Sequence, residues 1–244
     1  MGKVTVIGGA GFLGRYLVKR LAQQGLQVRV AVRDPEAASF LKPMGDVGQV
    51  QPIQANIRNQ ASIARAVAGA DVVINLAGVM FPGGAQSFQA VHVDGAETVA
   101  RAAAAAGVGR LIHISAIGAD AEADSKYARS KATGEAMVRA AYPDASIVRP
   151  STIFGAEDHF FNLFARLATL TPVMPLLGGG NRCMQPVYVG DVAQAIAVLA
   201  RDEAPAGGTY ELGGPQVLSM TEMIAMVCEQ TGRDRLMVWY PFAL

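Results

Sequence analysis

Apolar positions in the first 150 residues alternate between short continuous runs and stripes at helical spacing. "KVTVI" (3–7) is a β-branched run, and the glycine-rich "GGAGFLG" (8–14) punctuates it. "RYLVKRLAQQG" (15–25) then carries its apolar residues at helical intervals and stops on glycine. "LQVRVAVR" (26–33) reads as the second strand and "VQPIQA" (50–55) as a weaker third, with Pro52 near its start. "ASIARAVAGA" (61–70) predicts a helix and "DVVINLAG" (71–78) a buried fourth strand. One long helix is expected over about 85–106, then a fifth strand "RLIHISA" (110–116), a helix over 126–142 and a sixth strand "ASIVRP" (145–150).

Alternating strands and helices with apolar strands imply a parallel sheet covered on both faces. Right-handed crossovers make this a doubly wound α/β sheet, the Rossmann fold. After Pro150 the rhythm changes. "TPVMPLLGGGN" (171–181) suggests loops, and "TYELGGPQVLSMTEMIAMVCEQTG" (209–232) suggests a strand, a turn and a helix capped near Ser219 or Thr221. The expected division is a nucleotide-binding domain over 1–150 and a smaller C-terminal lobe over 151–244, partly packed back on the first domain. A ligand is expected in the cleft between them.

The bulk numbers narrow the function classes. The 244 residues are 51% hydrophobic and 17% charged, with a formal net charge of +1, which suits a soluble globular protein. No basic run marks a nucleic-acid or anionic-membrane surface, so no nucleic-acid partner is expected. Cys183 and Cys228 stand far apart without a histidine cluster, so no metal site is expected and the thiols are read as reduced. No signal peptide or membrane-length apolar run is visible; the longest apolar helix stretch, near 102–106, is stopped by Gly107. A cytoplasmic location follows as the expectation.

The glycine turn carries the chemistry. Gly8, Gly11 and Gly14 are spaced three apart between a strand and a helix. One makes the tight turn, one lets backbone approach a pyrophosphate, and one lets the helix pack against the strand. The helix starting near Phe12 and Leu13 would then offer free N–H groups and its positive dipole end to the phosphates. Dinucleotide folds usually carry an acid about 20 residues on, holding the ribose 2′-hydroxyl. Here "RVAVRDP" puts Val32 at that position and Arg33 after it. A guanidinium would hold a 2′-phosphate, which favours NADP(H). The alternative is a solvated Arg33 with Asp34 on the ribose of NAD(H). Asn56 and the Ile57 backbone are placed for the adenine ring; Asn56 reads equally well as a turn residue.

"GGAGFLG", "NLAG" (75–78), "YARSK" (127–131) and "RPSTIFG" (149–155), in this order, resemble the short-chain dehydrogenase/reductase superfamily. "VYVGDVAQAI" (187–196) is similar to its extended, NAD-dependent epimerase/dehydratase-like branch. "HISAIGAD" (113–120) with "SKYARSKATGE" (125–135) most resembles the atypical group that contains the accessory NADPH-binding subunit of respiratory complex I.

The resemblance implies Tyr127 as general acid/base with Lys131 as its partner. The i, i+4 spacing puts both on one helix face, and a nearby ammonium is expected to lower the phenol pKa. Spacing alone favours a packed tyrosine and a solvated lysine; the fold and the order of motifs turn the reading to the cofactor. The resemblance also implies a serine or threonine after the fifth strand; Ser115 is the hydroxyl there, and Ala116 is the other residue that could hold the position. Backbone contacts from Asn75, Leu76, Ala77 and Gly78 would line the cofactor ribose, and Pro150, Ser151 and Ile153 would flank the nicotinamide. His92 stands near an asparagine of relatives and is read as a partly exposed helix residue, or else as a substitute relay. His113 is read as sheet packing, His159 as a weak cleft candidate, Arg182 as a substrate contact or surface residue, and Asp191 as an N-cap.

Relatives often pair through the helices over 86–106 and 125–141, so a homodimer is one expected partner. Respiratory complex I, with a peripheral place at the inner face of a membrane, is another. The resemblance allows two functions: a structural or weakly catalytic NADP(H) site, or an active reductase, dehydrogenase or sugar-nucleotide epimerase/dehydratase. "WYPFAL" (239–244) looks like a stretch entering another segment.

Overall fold

The computed structural model describes residues 2–177, 180–201 and 205–240. In chain order it runs β1 (Lys3–Ile7), α1 (Phe12–Gln23), β2 (Gln27–Val32), a 3-10 turn (Ser39–Met44), β3 (Val50–Gln54), α2 (Gln60–Val67) and β4 (Val72–Asn75). A π-turn (Gln89–Val93) leads into α3 (Asp94–Ala105), then β5 (Arg110–Ile114), α4 (Lys126–Ala141) and β6 (Ser146–Pro150). Next come β7 (Ile153–Phe154), α5 (Phe161–Leu170), β8 (Val173–Leu177), β9 (Cys183–Met184), β10 (Val187–Tyr188) and α6 (Val189–Leu199). The chain closes with β11 (Thr209–Leu212), β12 (Leu218–Ser219), α7 (Met220–Gln230) and β13 (Leu236–Tyr240).

Two compact units form. The first is Met1–Pro150 with Gly190–Leu212, and the second is Ser151–Val189 with Gly213–Leu244. The stretch after Pro150 is thus not one continuous lobe. Gly190–Leu212 returns to the first unit because β11 pairs with β6, Thr209 opposite Ile147 through Leu212 opposite Pro150. Arg20 of α1 also donates to Gln194 Oε1 at 2.7 Å.

The first unit is a doubly wound α/β sheet. Its seven strands run in the order β11-β6-β5-β4-β1-β2-β3, all parallel. Order reverses between β1 and β4, where the ends of adjacent strands diverge and leave a crevice. Val6, Val30, Val73, Ile74, Ile112 and Ile147 are buried, as continuous apolar strands in a parallel sheet require. Leu17 and Leu21 of α1 are fully buried, each contributing about 1.5–3 kcal/mol. Pro52 is tolerated because β3 is an edge strand, though it sits at the strand's centre.

The long helix expected over 85–106 is shorter and interrupted. Gly83 and Gln86 close a small bridge, the π-turn follows, and regular α-helix starts only at Asp94. Gly107, with φ +64°, ends it.

In the second unit, the loop expected over 171–181 contains a strand instead. β8 pairs in parallel with β13, Val173 opposite Leu236. Pro175 fits because this two-stranded sheet gives it a free edge. Phe164, Ala168, Met174, Ile224, Val227 and Cys228 form this unit's core. Ser219 caps α7 in a reciprocal capping box with Glu222. Residues 178–179 and 241–244, part of two sequence expectations, lie outside the described residues. Among the described residues, no helix is long and apolar enough to cross a membrane, and no cluster of three metal-ligating side chains occurs.

Candidate functional site

The turn after β1 is built from glycines with distinct physical reasons. Gly8 has φ +77°, and its N–H donates to Ala31 O at 2.9 Å. A Cβ on Gly14 would stand 2.3 Å from Gly9 O, so the helix packs on the turn's own backbone. Gly9 is constrained as well, since a Cβ there would stand 2.8 Å from Val30 Cγ1, and spacing in threes does not report it. Gly11 differs: a Cβ there would meet only Gly8 O at 3.4 Å, so the chain itself leaves that space open. α1 begins at Phe12 with Gly11 as an N-cap that has no side chain to offer and no acid in its first turn. Its first amides and its positive end are left for a ligand.

A cleft of about 520 Å³ opens here. Its lining includes Gly8, Gly11, Phe12, Leu13, Gly14, Arg33, Asn56, Ile57, Leu76, Ala77 and Gly78, together with Asp34 and Arg58. Arg33 is exposed at the end of β2. Asp34 is committed elsewhere: its Oδ1 accepts from Glu36 N and Ala37 N, both at 3.1 Å, capping the next turn. Asn56 Oδ1 accepts from Arg58 N at 3.1 Å, so its carbonyl serves a turn as well as lining the cleft. A side cavity of about 320 Å³ adjoins Arg33 and Asn56 and adds Arg65, which the sequence analysis did not single out.

On the other side of β4, the first turns of α4 carry Tyr127 and Lys131. Ser125 starts the helix, its side chain accepting from Ala128 N. Lys131 is buried and its Nζ donates to Ile114 O at 3.2 Å. Burial pulls its pKa down to about 8, against the opposing pull of Glu135. Glu135 is itself buried and clamped by Arg149 of β6 through Nε at 2.9 Å and Nη2 at 2.8 Å. The Lys131 ammonium lies 5.9 Å from the Tyr127 ring centroid, within cation–π range. The expected lowering of the Tyr127 pKa is corrected: burial dominates and pushes the phenol up. Lys131 also reaches the cleft wall, since a Cβ on Gly78 would stand 3.4 Å from Nζ.

Ser115 is buried just past β5, its amide bonded to Val148 O at 2.7 Å and its hydroxyl without a partner among the described residues. Ala116 beside it is half-buried. His92 is not a partly exposed helix residue. It is buried, 2% exposed, because the π-turn aims it into the molecule against α4. His113 is buried in the sheet and contacts Asn75 Nδ2 through Nδ1 at 3.1 Å, while Asn75 Oδ1 accepts from Ala77 N at 3.1 Å. This pair holds the loop that lines the cleft. Burial drops His113 to about 3 and His92 to about 4, so both are neutral.

The other expected positions are held by contacts of their own. Pro150 ends β6, its O accepting from Ile117 N at 3.1 Å. Ser151 and Ile153 belong to the second unit, where Ser151 Oγ accepts from Gln185 N at 3.4 Å and Ile153 pairs with Val187. His159 is exposed; its neighbour Asp158 is buried and caps α5 through Phe161 N at 2.6 Å. Asp191 is not an N-cap but lies inside the first turn of α6, where a carboxylate still suits the dipole. Arg182 and Cys183 are exposed, and Cys228 is buried.

Comparison with known proteins agrees with this geometry. The profile of the NAD dependent epimerase/dehydratase family matches residues 4–213. The chain is 40% identical over 243 residues to the mitochondrial NADH dehydrogenase [ubiquinone] 1 alpha subcomplex subunit 9 of Arabidopsis thaliana, covering 98% of this chain and 60% of that protein. It is 37% identical over 212 residues to the ceramide reductase of Caulobacter vibrioides, covering 86% of this chain and 64% of that protein. The chain therefore spans under two thirds of the length of these curated relatives. Among solved structures, dTDP-glucose 4,6-dehydratase DesIV of Streptomyces venezuelae, with NAD and TYD bound, superposes with a TM-score of 0.84 at 25% identity, covering 98% of this chain and 84% of that one. With the glycine turn, the open first turn of α1 and a matched stretch of 210 residues in view, the chain belongs to the NAD dependent epimerase/dehydratase family and is homologous to the accessory subunit of respiratory complex I.

Proposed function

We propose that this chain is an NADP(H)-binding protein whose cofactor is mainly structural or sensory, working with a respiratory complex as its longer relatives do by name. The carrying observation is the division between Arg33 and Asp34. Asp34 spends its carboxylate on backbone amides, and Arg33 stands at the cleft beside a side cavity that Arg65 also lines. Two guanidiniums there suit a 2′-phosphate. The pyrophosphate would lie on the Gly11 space and the α1 amides, the adenine by Asn56 and Ile57, and the riboses along Leu76, Ala77 and Gly78. Tyr127 and Lys131 would hold the nicotinamide ribose, with Pro150, Ser151 and Ile153 beside the ring.

Bound nicotinamide would supply hydride chemistry. The weak-turnover reading is supported by the alanine that follows Ser115. A second reading, a reductase, rests on Ser115: its buried hydroxyl has no partner among the described residues and could donate to a substrate oxygen, with Tyr127 as acid. The relatives' names include ceramide reductase. By the same names, the first reading favours a peripheral site at a respiratory membrane over a cytoplasmic one. A homodimer through α3 and α4 remains part of the proposal, checked by sedimentation.

The test is thermal unfolding with saturating NADPH beside an assay for NADPH oxidation with carbonyl and quinone acceptors. A raised Tm without turnover is expected. Sustained turnover abolished by Tyr127→Phe would favour the reductase instead.

A further inference from the structure

His92 has contacts that dinucleotide binding does not call on. It lies in the π-turn Gln89–Val93 at the entrance to α3, and its ring is buried. Such turns widen a helix locally and often occur at functional sites. Nε2 lies 3.0 Å from Val79 N, a group that can only donate, so Nε2 carries no proton. Nδ1 lies 2.9 Å from Ser130 Oγ, whose own proton goes to Tyr127 O at 2.7 Å. Ser130 Oγ is then the acceptor and Nδ1 the donor. The chain runs one way, from Nδ1–H to Oγ–H to the carbonyl, and one neutral tautomer satisfies every bond.

The ring is also held by packing. Phe88 stacks on it with centroids 5.3 Å apart, and the Tyr127 ring meets it at an interplanar angle of 85° and 5.5 Å. α4 lies directly against the π-turn, since a Cβ on Gly134 would fall 2.0 Å from His92 O. A Cβ on Gly78 would stand 3.5 Å from Nε2 and 3.4 Å from Lys131 Nζ, so imidazole and ammonium meet the cleft wall at one point.

We infer that His92, as the neutral Nδ1–H tautomer, is a positioning residue: it pins the loop after β4 to α4 and so sets where the Tyr127 ring and the Lys131 ammonium stand against Gly78. Val79 N belongs to the loop, Ser130 and Tyr127 to the helix, and His92 is the side chain bonded to both. A proton on Nε2 would oppose the Val79 N–H and break the link. The titratable groups around the ring are Tyr127 and Lys131 from α4 and His113 from β5. Asp94, on the ring's own helix, is bonded to Gln89 at 2.7 Å.

The inference rests on the dinucleotide reading only for its binding arm. In that arm, titrations with NADPH and with 2′,5′-ADP, which carries the adenosine half alone, are run on wild type and His92→Phe. Phenylalanine keeps the ring stack and deletes both hydrogen bonds. NADPH affinity is expected to fall about tenfold or more and 2′,5′-ADP affinity to stay within about twofold. An equal loss for both ligands would make His92 a general fold residue and overturn the inference. If His92→Phe does not fold, Ser130→Ala removes one of the two His92 bonds, together with the Ser130 bond to Tyr127 O, and should show the same asymmetry at about threefold. Imidazole ¹⁵N spectra of the wild-type protein form the second arm. A neutral Nδ1–H ring from pH 7 to about pH 5 is expected, whereas an Nε2–H ring, or titration near the ordinary value of about 6.5, overturns the inference. If wild type binds neither ligand, the dinucleotide reading fails by itself and the ¹⁵N spectra decide for His92.

Discussion

The two sides of the cleft are built in opposite ways. The glycine-turn side offers backbone N–H groups, open space at Gly11 and an exposed Arg33. The α4 side offers buried polar side chains, Lys131, His92, Ser130 and Ser115, packed among rings. On the proposed reading, the first would recognise a ligand with groups that solvent already reaches. The second has already lost water from its polar groups, so each depends on a specific partner inside the protein. A change on the first side should therefore act on binding, and a change on the second should act through stability and position.

The sharpest way to break that contrast lies within the glycine turn. Gly14→Ala places a methyl 2.3 Å from Gly9 O, against backbone that cannot rotate away. Thermal unfolding should show a loss of about 3 kcal/mol, at the upper end for overpacking, and cofactor binding should vanish with it. Gly11→Ala should leave Tm nearly unchanged while lowering NADPH affinity about tenfold or more, because the methyl would occupy ligand space. Equal destabilisation by both would remove the distinction.

Acid probes the other side. His92 and His113 have folded pKa values of about 4 and about 3, below the ordinary 6.5. Depressed values mean that the unfolded chain binds more protons over this range. Stability is fully present above about pH 6.5 and falls as pH drops toward 4. Denaturant titrations at pH 7 and pH 4.5 should differ by roughly 2–3 kcal/mol per histidine, and His92→Phe should lose part of that slope. A flat profile would mean the rings are not buried and neutral.

Arg33→Ala should weaken NADPH by about ten- to a hundredfold and leave NADH within about twofold, as loss of a charge-assisted contact predicts. The smallest effect is expected from Tyr127→Phe. Its ring packing with His92 and Phe88 survives, so stability should change by about 0.5 kcal/mol or less, and any turnover should disappear.

These contrasts also explain what the sequence could show. The strand–turn–helix of the glycine motif, the order of six strands and the Tyr127–Lys131 pair depend on local spacing, and spacing is visible in one chain. The return of Gly190–Leu212 to the sheet depends on pairing between β11 and β6, 62 positions apart at Thr209 and Ile147, and no local pattern reports it. His92 was misread because a helical period assumes regular phase, and the π-turn shifts that phase. Proline and glycine over 171–181 argued for loops and masked β8, whose partner strand comes about 60 residues later. The Tyr127 pKa went the other way because spacing reveals a nearby ammonium but not the burial that outweighs it.

On the proposed reading, the exposed side of the cleft holds a 2′-phosphorylated dinucleotide through Arg33. Calorimetric titration of the wild-type protein with NADPH and, separately, NADH tests it most directly. NADPH is expected to bind with a Kd at least about tenfold below that for NADH. Equal affinities, or tighter NADH binding, would contradict it and return the ribose to Asp34.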